Sequence, residues 1–188
     1  MATPHPYACS RSPAAHGLRE YADRLGALRR EHPADDLMSL LVHAEIEGEK
    51  LNAEEFINFF RLLVFAGNET TRSAISHLAL LMEQQPQAFA ALHTAPELID
   101  NVVEEVVRLA SPILYFRRTA NRDTTLANTH IKAGQRVMMW YPSANFDPMQ
   151  YHNPRQLDPH RSRPKAHAGF GGGGIHIWLG AWLARMEL

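Results

Sequence analysis

Cysteine is nearly missing from this chain. Cys9 is the only one in 188 residues, which excludes an internal disulfide and any paired-cysteine metal motif and fits a reducing compartment. Long apolar runs are missing too, and none reaches the ~20 residues that a bilayer-crossing helix needs. Neither sign of charge is in excess. With 19 Lys and Arg against 20 Asp and Glu, the formal net charge is -1, so composition offers no case for nucleic acid or anionic lipid as a partner. Met1 to His16 contains no apolar segment of the secretory type. No internal repeat is present. These absences leave one globular domain, read as cytoplasmic, and a hydrophobic content of 45% agrees with it.

Helical periodicity fills the first part of the chain. Residues 1–17 are rich in Pro, Ala, Ser and His without period, and read as a disordered lead-in. Leu18, Tyr21, Leu25 and Leu28 then recur at helical spacing up to Pro33. A second short helix follows Asp35-Asp36, and Glu47 to Lys50 reads as a polar loop. Asn52 with Glu55 has the form of a capping box. It opens a long helix, 52–84, which is apolar nearly all round in its middle and so is expected to be central and buried, with Gly67 and Asn68 marking a local distortion. Pro86 opens a short helix to His93, and Pro96 opens another, 97–109, with Asp100 and Glu104 on its outer face.

After Ser111-Pro112 the pattern changes to short β-like runs at Tyr115-Phe116, Thr124 to Leu126, His130 to Lys132 and Val137 to Trp140, with turns at Asn128 and Gly134. Tyr141 to Pro164 is proline-rich and aperiodic. Gly171 to Gly174 are consecutive glycines running into a last helix. Backbone of that kind admits positive φ and the close approach of something flat. The Lys and Ser/Thr of a phosphate-binding loop are not there.

Three polar constellations stand out. Glu69 and Thr70 lie side by side in the long helix, where an acid and a hydroxyl can relay a proton; alternatively, Thr70 bonds back to a carbonyl and Glu69 faces solvent. Glu105 and Arg108 are three residues apart and share a helical face. Arg118 precedes Asp123 on a β-like run. His152, His160, His167 and His176 match no zinc spacing and read as surface or loop histidines.

In register, Phe170, Gly171, Gly172, Gly174, His176, Gly180, Leu183, Ala184 and Arg185 resemble the haem loop of the cytochrome P-450 monooxygenases, with glycine spacing similar to the actinobacterial steroid- and lipid-oxidising members. Glu105-Val106-Val107-Arg108, the Arg118 stretch and Ala66 to Thr71 resemble further motifs of that family, in its order. The resemblance implies a mainly α fold with a small β region, the C-terminal half of the family's fold over 18–188. Within it lie a central helix 52–84, an ExxR helix 97–109, a β and meander region 113–168 and a haem loop 169–180. It implies haem b as cofactor, with Arg118 and His176 on its propionates and Phe170, Gly171, Gly172, Gly174 and Gly180 around it. It implies a proton relay by Glu69 and Thr70. It also implies a scaffold of Glu105, Arg108 and a third arginine, Arg161 with Arg163 as rival. The implied reaction is oxygen insertion into an apolar, sterol or lipid, small molecule, with electrons from a ferredoxin or flavoprotein reductase.

One position departs. Trp178 stands where the family has its cysteine ligand. Thiolate drives the family chemistry by pushing electron density onto iron, and indole has no lone pair to offer. The expectation is a family member impaired by Trp178 and by the absence of the fold's N-terminal half. The competing expectation is a non-catalytic fragment or interaction module.

Overall fold

A computed structural model describes residues 13–162, 166–171 and 176–188. The chain divides into two compact units, one ending at Gly67 and the other running Asn68–Leu188. The division falls inside the long helix.

The first unit is built from α1 (Pro13–Glu31), α2 (Leu37–His43), a two-stranded hairpin and the first half of α3 (Ala53–Gln84). Asp36 caps α2 by accepting from the Ser39 amide at 2.8 Å. Asn52 and Glu55 form the expected reciprocal box, each side chain accepting from the other's amide at 3.0 and 2.9 Å. Ala22, Ile57 and Phe60 are buried together, with Leu18, Leu25 and Met38 against them. Gly26 permits that approach, because a Cβ there would lie 2.8 Å from the Phe56 ring. Three expectations change here. Helix begins at Pro13, inside the expected lead-in 1–17, while 1–12 lie outside the described residues. Glu47 to Lys50 belongs to a hairpin, β1 (Glu45–Ile46) against β2 (Glu49–Lys50), because Glu47 at φ 54° and Gly48 at φ 85° supply its turn. The long helix runs unbroken through Gly67 and Asn68, since one glycine costs a helix only about 1 kcal/mol and the ladder on either side outweighs it.

The second unit continues α3 and adds α4 (Pro86–Ala90), α5 (Ile99–Ala110), α6 (Tyr141–Asn145) and α7 (Ala181–Glu187). Short 3-10 turns at Ala91–His93 and Pro96–Leu98 replace the ends of the two expected helices. β3 (Tyr115–Thr119) pairs antiparallel with β6 (Arg136–Trp140), placing Arg118 opposite Val137. β4 (Thr124–Leu126) and β5 (Thr129–Ile131) form a hairpin turned by Ala127 and Asn128, both at positive φ. Leu81, Val102, Val106 and Leu157 form one buried cluster, and Val107, Phe170, Ala181 and Ala184 another. Helix α5 serves both, and nearly every residue of its second half is buried.

The expectation of a buried central helix is only partly met. Phe56, Ile57, Phe60, Ala74 and Leu81 of α3 are buried, but Leu62, Phe65, Ile75 and Leu80 are exposed, Phe65 at 57%. An apolar run in sequence does not say how many of its faces neighbours cover. No helix among the described residues is long and apolar enough to cross a membrane.

Candidate functional site

Helix α5 carries adjacent glutamates into the interior, and each organises a polar cluster. Glu105 and Arg108 are fully buried. Arg108 donates from Nε and Nη2 to the two oxygens of Glu105 at 2.6 and 2.9 Å, a bidentate fork. Its remaining N–H groups go to main-chain carbonyls of Asn145, Pro154 and Gln156 at 2.8, 2.6 and 3.2 Å. The guanidinium thus fastens α5 to α6 and the loop beyond it. Arg161 completes the cluster. It donates to the carbonyls of His152 and Gln156. Its Nε stands 2.9 Å from Glu105 as an ion pair with the N–H turned off the oxygen, so this atom is buried without a hydrogen bond. The Tyr151 ring lies under both arginines, 4.8 Å from Arg108 and 5.7 Å from Arg161. Burial pushes the Tyr151 hydroxyl above its ordinary range, Glu105 adding to the effect and the arginines opposing it.

Asn145 ends α6 inside this cluster. Its amide donates to Ser111 Oγ at 2.9 Å, and its Oδ1 accepts from the Ala168 amide at 2.7 Å. The second contact reaches the glycine loop. Ser111, at φ 41°, closes α5 in the left-handed conformation.

Glu104 builds the other cluster. It was expected on the outer face of its helix, and the structure buries it to 1% exposure. It accepts from His167 Nε2 at 2.8 Å and from Arg185 of α7. Burial alone would raise the Glu104 carboxyl, but the hydrogen bonds from His167 and Arg185, with the charge of Arg185 and, when the ring is protonated, that of His167, outweigh it and hold the group below its ordinary value. His167, read from sequence as a surface or loop histidine, is 5% exposed. It also caps the 3-10 turn Ala168–Phe170, accepting from the Gly169 amide at 2.9 Å. The signals that would have located these partners are long-range, 63 and 81 residues from Glu104, and no local pattern carries them.

The described part of the loop is packed around Phe170. Arg185 lies over its ring at 4.4 Å, and the Trp178 indole stacks on it at 5.7 Å with an interplanar angle of 22°. The Trp178 amide donates to the Phe170 carbonyl at 2.9 Å. Gly171 sits at φ 91° with the His176 carbonyl 2.7 Å from where a Cβ would be, so only glycine fits. Gly180, beside the Trp178 ring, leads into α7.

Other expected site residues stand apart. Glu69 is exposed and accepts two bonds from Arg72, at 2.9 and 2.8 Å; Thr70 is half-buried. This places Glu69 at the surface rather than in a buried relay, because the solvent-facing side of α3 carries it. Arg118 is exposed on β3, donates back to the Arg117 carbonyl and lies over the Phe116 ring at 6.0 Å. His176 is exposed. Gly172 and Gly174 lie outside the described residues, as does Arg163, the rival to Arg161.

Set against the haem that the resemblance implies, the loop's donor set does not fit. The Trp178 indole offers an N–H and no lone pair, and its ring is engaged with Phe170. The exposed Arg118 and His176 suit propionates chemically; of the two only the imidazole can bind iron, and it stands two residues before the ligand position. Among the described residues, no three His, Cys, Asp or Glu side chains converge as a metal site.

Comparison with known proteins bears on the same region. The sequence pattern of the Cytochrome P450 family matches residues 95–188. The chain is 46% identical over 169 residues to a methyl-branched lipid omega-hydroxylase of Mycobacterium tuberculosis, covering 89% of this chain and 39% of that protein. It is 44% identical over 168 residues to a steroid C26-monooxygenase of Rhodococcus jostii, covering 89% and 35%. A Mycobacterium marinum cytochrome P450 solved in complex with pseudoionone superposes with a TM-score of 0.87 at 42% identity, covering 96% of this chain and 45% of that one. The chain thus spans less than half the length of each of these proteins.

Proposed function

Because the chain belongs to the cytochrome P450 family, we propose that it represents the brace and glycine-loop portion of a haem monooxygenase for apolar, lipid-like substrates, in a form whose loop lacks the family's thiolate ligand. The family's cofactor is haem b, and its reaction inserts one oxygen atom of O2 into a C–H bond while the other leaves as water, with two electrons and two protons consumed. The names of the lipid and steroid relatives support the substrate class. In this reading electrons come from a ferredoxin or flavoprotein reductase, in the cytoplasm. Were haem bound, Arg118 and His176 would hold its propionates, with Phe170, Gly171, Gly172, Gly174 and Gly180 as its loop contacts. Glu69 and Thr70 would then serve proton delivery, with Glu69 leaving Arg72. Glu105, Arg108 and Arg161 brace the loop.

One observation carries the impairment: Trp178 occupies the ligand position in a loop that otherwise keeps the family's register. The family reaction depends on thiolate donation, which indole does not provide. The test is the reduced, CO-bound absorption spectrum of the full chain after haem reconstitution, beside Trp178→Cys. A thiolate-type band is expected only in the variant. Such a band in the unaltered chain, or haem-dependent hydroxylation by it, overturns the reading.

A second reading, an interaction module without catalysis, draws on the exposed Leu62, Phe65, Ile75 and Leu80 of α3. It predicts a soluble chain whose oligomeric state changes when these residues are replaced by polar ones.

A further inference from the structure

His167 holds two bonds that dictate where its proton lies. The Gly169 main-chain N–H can only donate, so Nδ1, 2.9 Å away, must accept with its lone pair. The single proton of a neutral imidazole then sits on Nε2 and is donated to Glu104 Oε2 at 2.8 Å. Charge balance agrees. The charged groups around the ring are Glu104 from α5 and Arg185 from α7, and they already neutralise each other. A second cation in so dry a place would stand uncompensated.

We infer that His167 is the positioning residue of the turn Ala168–Phe170, a neutral Nε2–H imidazole that caps Gly169 and ties it to Glu104, so that protonating Nδ1 releases the turn. A proton on Nδ1 turns an N–H toward the Gly169 N–H and removes the cap. The consequence reaches Trp178 in two steps. Gly169 is followed by Phe170, whose ring lies against His167 at 5.7 Å. Phe170 in turn stacks on the Trp178 indole and accepts its amide. The setting of Trp178 on Phe170 therefore follows the protonation of a residue eleven positions upstream of it. The inference rests on these contacts and stands whether or not the monooxygenase reading does.

Nitrogen-15 NMR of the uniformly labelled full chain tests it without altering the protein. At neutral pH, His167 is expected with its one proton on Nε2. On acidification, the Gly169 amide and the Trp178 indole signals are expected to shift with the same midpoint as the His167 ring. Two variants separate the bonds. In His167→Asn the side-chain oxygen still caps Gly169, so the Gly169 amide keeps its protection while the coupled pH response disappears. In His167→Gln the amide reaches Glu104 but the cap is lost, so Gly169 protection falls. The inference is overturned by an Nδ1–H or doubly protonated ring at neutral pH. It is equally overturned by a Trp178 signal indifferent to the His167 titration, or by a pH response that survives in His167→Asn.

Discussion

The chain contains the same four-residue pattern twice, Glu-x-x-Arg, at Glu69 to Arg72 on α3 and at Glu105 to Arg108 on α5. In both, carboxylate and guanidinium meet within 3 Å. The side chains of the first pair are 61% and 69% exposed, and those of the second are 0% exposed. Water solvates the first pair whether or not it forms, and salt screens it. The second pair has no water to return to, and Arg108 spends its remaining N–H groups on three carbonyls of a distant segment. The difference lies in what covers the helix. Between the charges, α5 has Val106 and Val107, each 1% exposed, whereas α3 has Thr70 and Thr71. A surface pair decorates its helix, while a buried pair fixes the chain around it.

The largest test breaks the buried pair. Arg108→Ala leaves Glu105 charged and buried and strands the carbonyls, at a cost of about 3–5 kcal/mol. Urea denaturation would show this as a midpoint lowered to the edge of folding. A loss below 1 kcal/mol would mean that the two pairs are equivalent after all.

Trp178→Ala extends the comparison to the loop that the buried clusters hold. Removing the indole from Phe170 should cost on the order of 2 kcal/mol, less than a fully buried aromatic because Trp178 is half-exposed. Trp178→Phe should recover most of it. An unchanged thermal midpoint in Trp178→Ala would show that the loop does not depend on the stack.

Glu104 gives the comparison a pH axis. Its carboxyl is held below the ordinary 4.5, so its contribution is complete above the carboxylate range and is lost as pH falls through the folded value. Glu104→Gln should therefore lower stability by about 1–3 kcal/mol at neutral pH and flatten its fall below pH 4.5. Acid titrations of unfolding free energy for the two proteins would differ in slope there. Parallel curves would mean that Glu104 plays no part in acid unfolding.

Sequence carried the local features well. The Asn52 and Glu55 box, the Asp36 end of α2 and the turns at Asn128 and Gly134 depend on residues within four positions, and all stand where they were read. Arg161 was picked out by resemblance, and the structure sets it against Glu105. The burial of Glu104, and that of His167 in its loop, escape the sequence because their surroundings are made by segments far away in the chain. Periodicity gives each residue a face but does not say which segment covers that face. The exposure of Glu69 has the same origin, since an apolar stretch such as the middle of α3 does not specify its neighbours.

The smallest predicted effect is also the sharpest control. Arg72→Ala removes an exposed partner at i, i+3 and should change stability by less than about 0.5 kcal/mol. Raising salt to 1 M shortens the screening length to about 3 Å, so the small difference between Arg72→Ala and the unaltered chain should vanish. The deficit of Arg108→Ala should persist at the same salt, because ions do not enter the space around Glu105. Paired denaturation curves at low and high salt would show both effects in one experiment. If salt erased the Arg108 deficit as well, water would have to reach Glu105, and the dry brace on α5 would have to be abandoned.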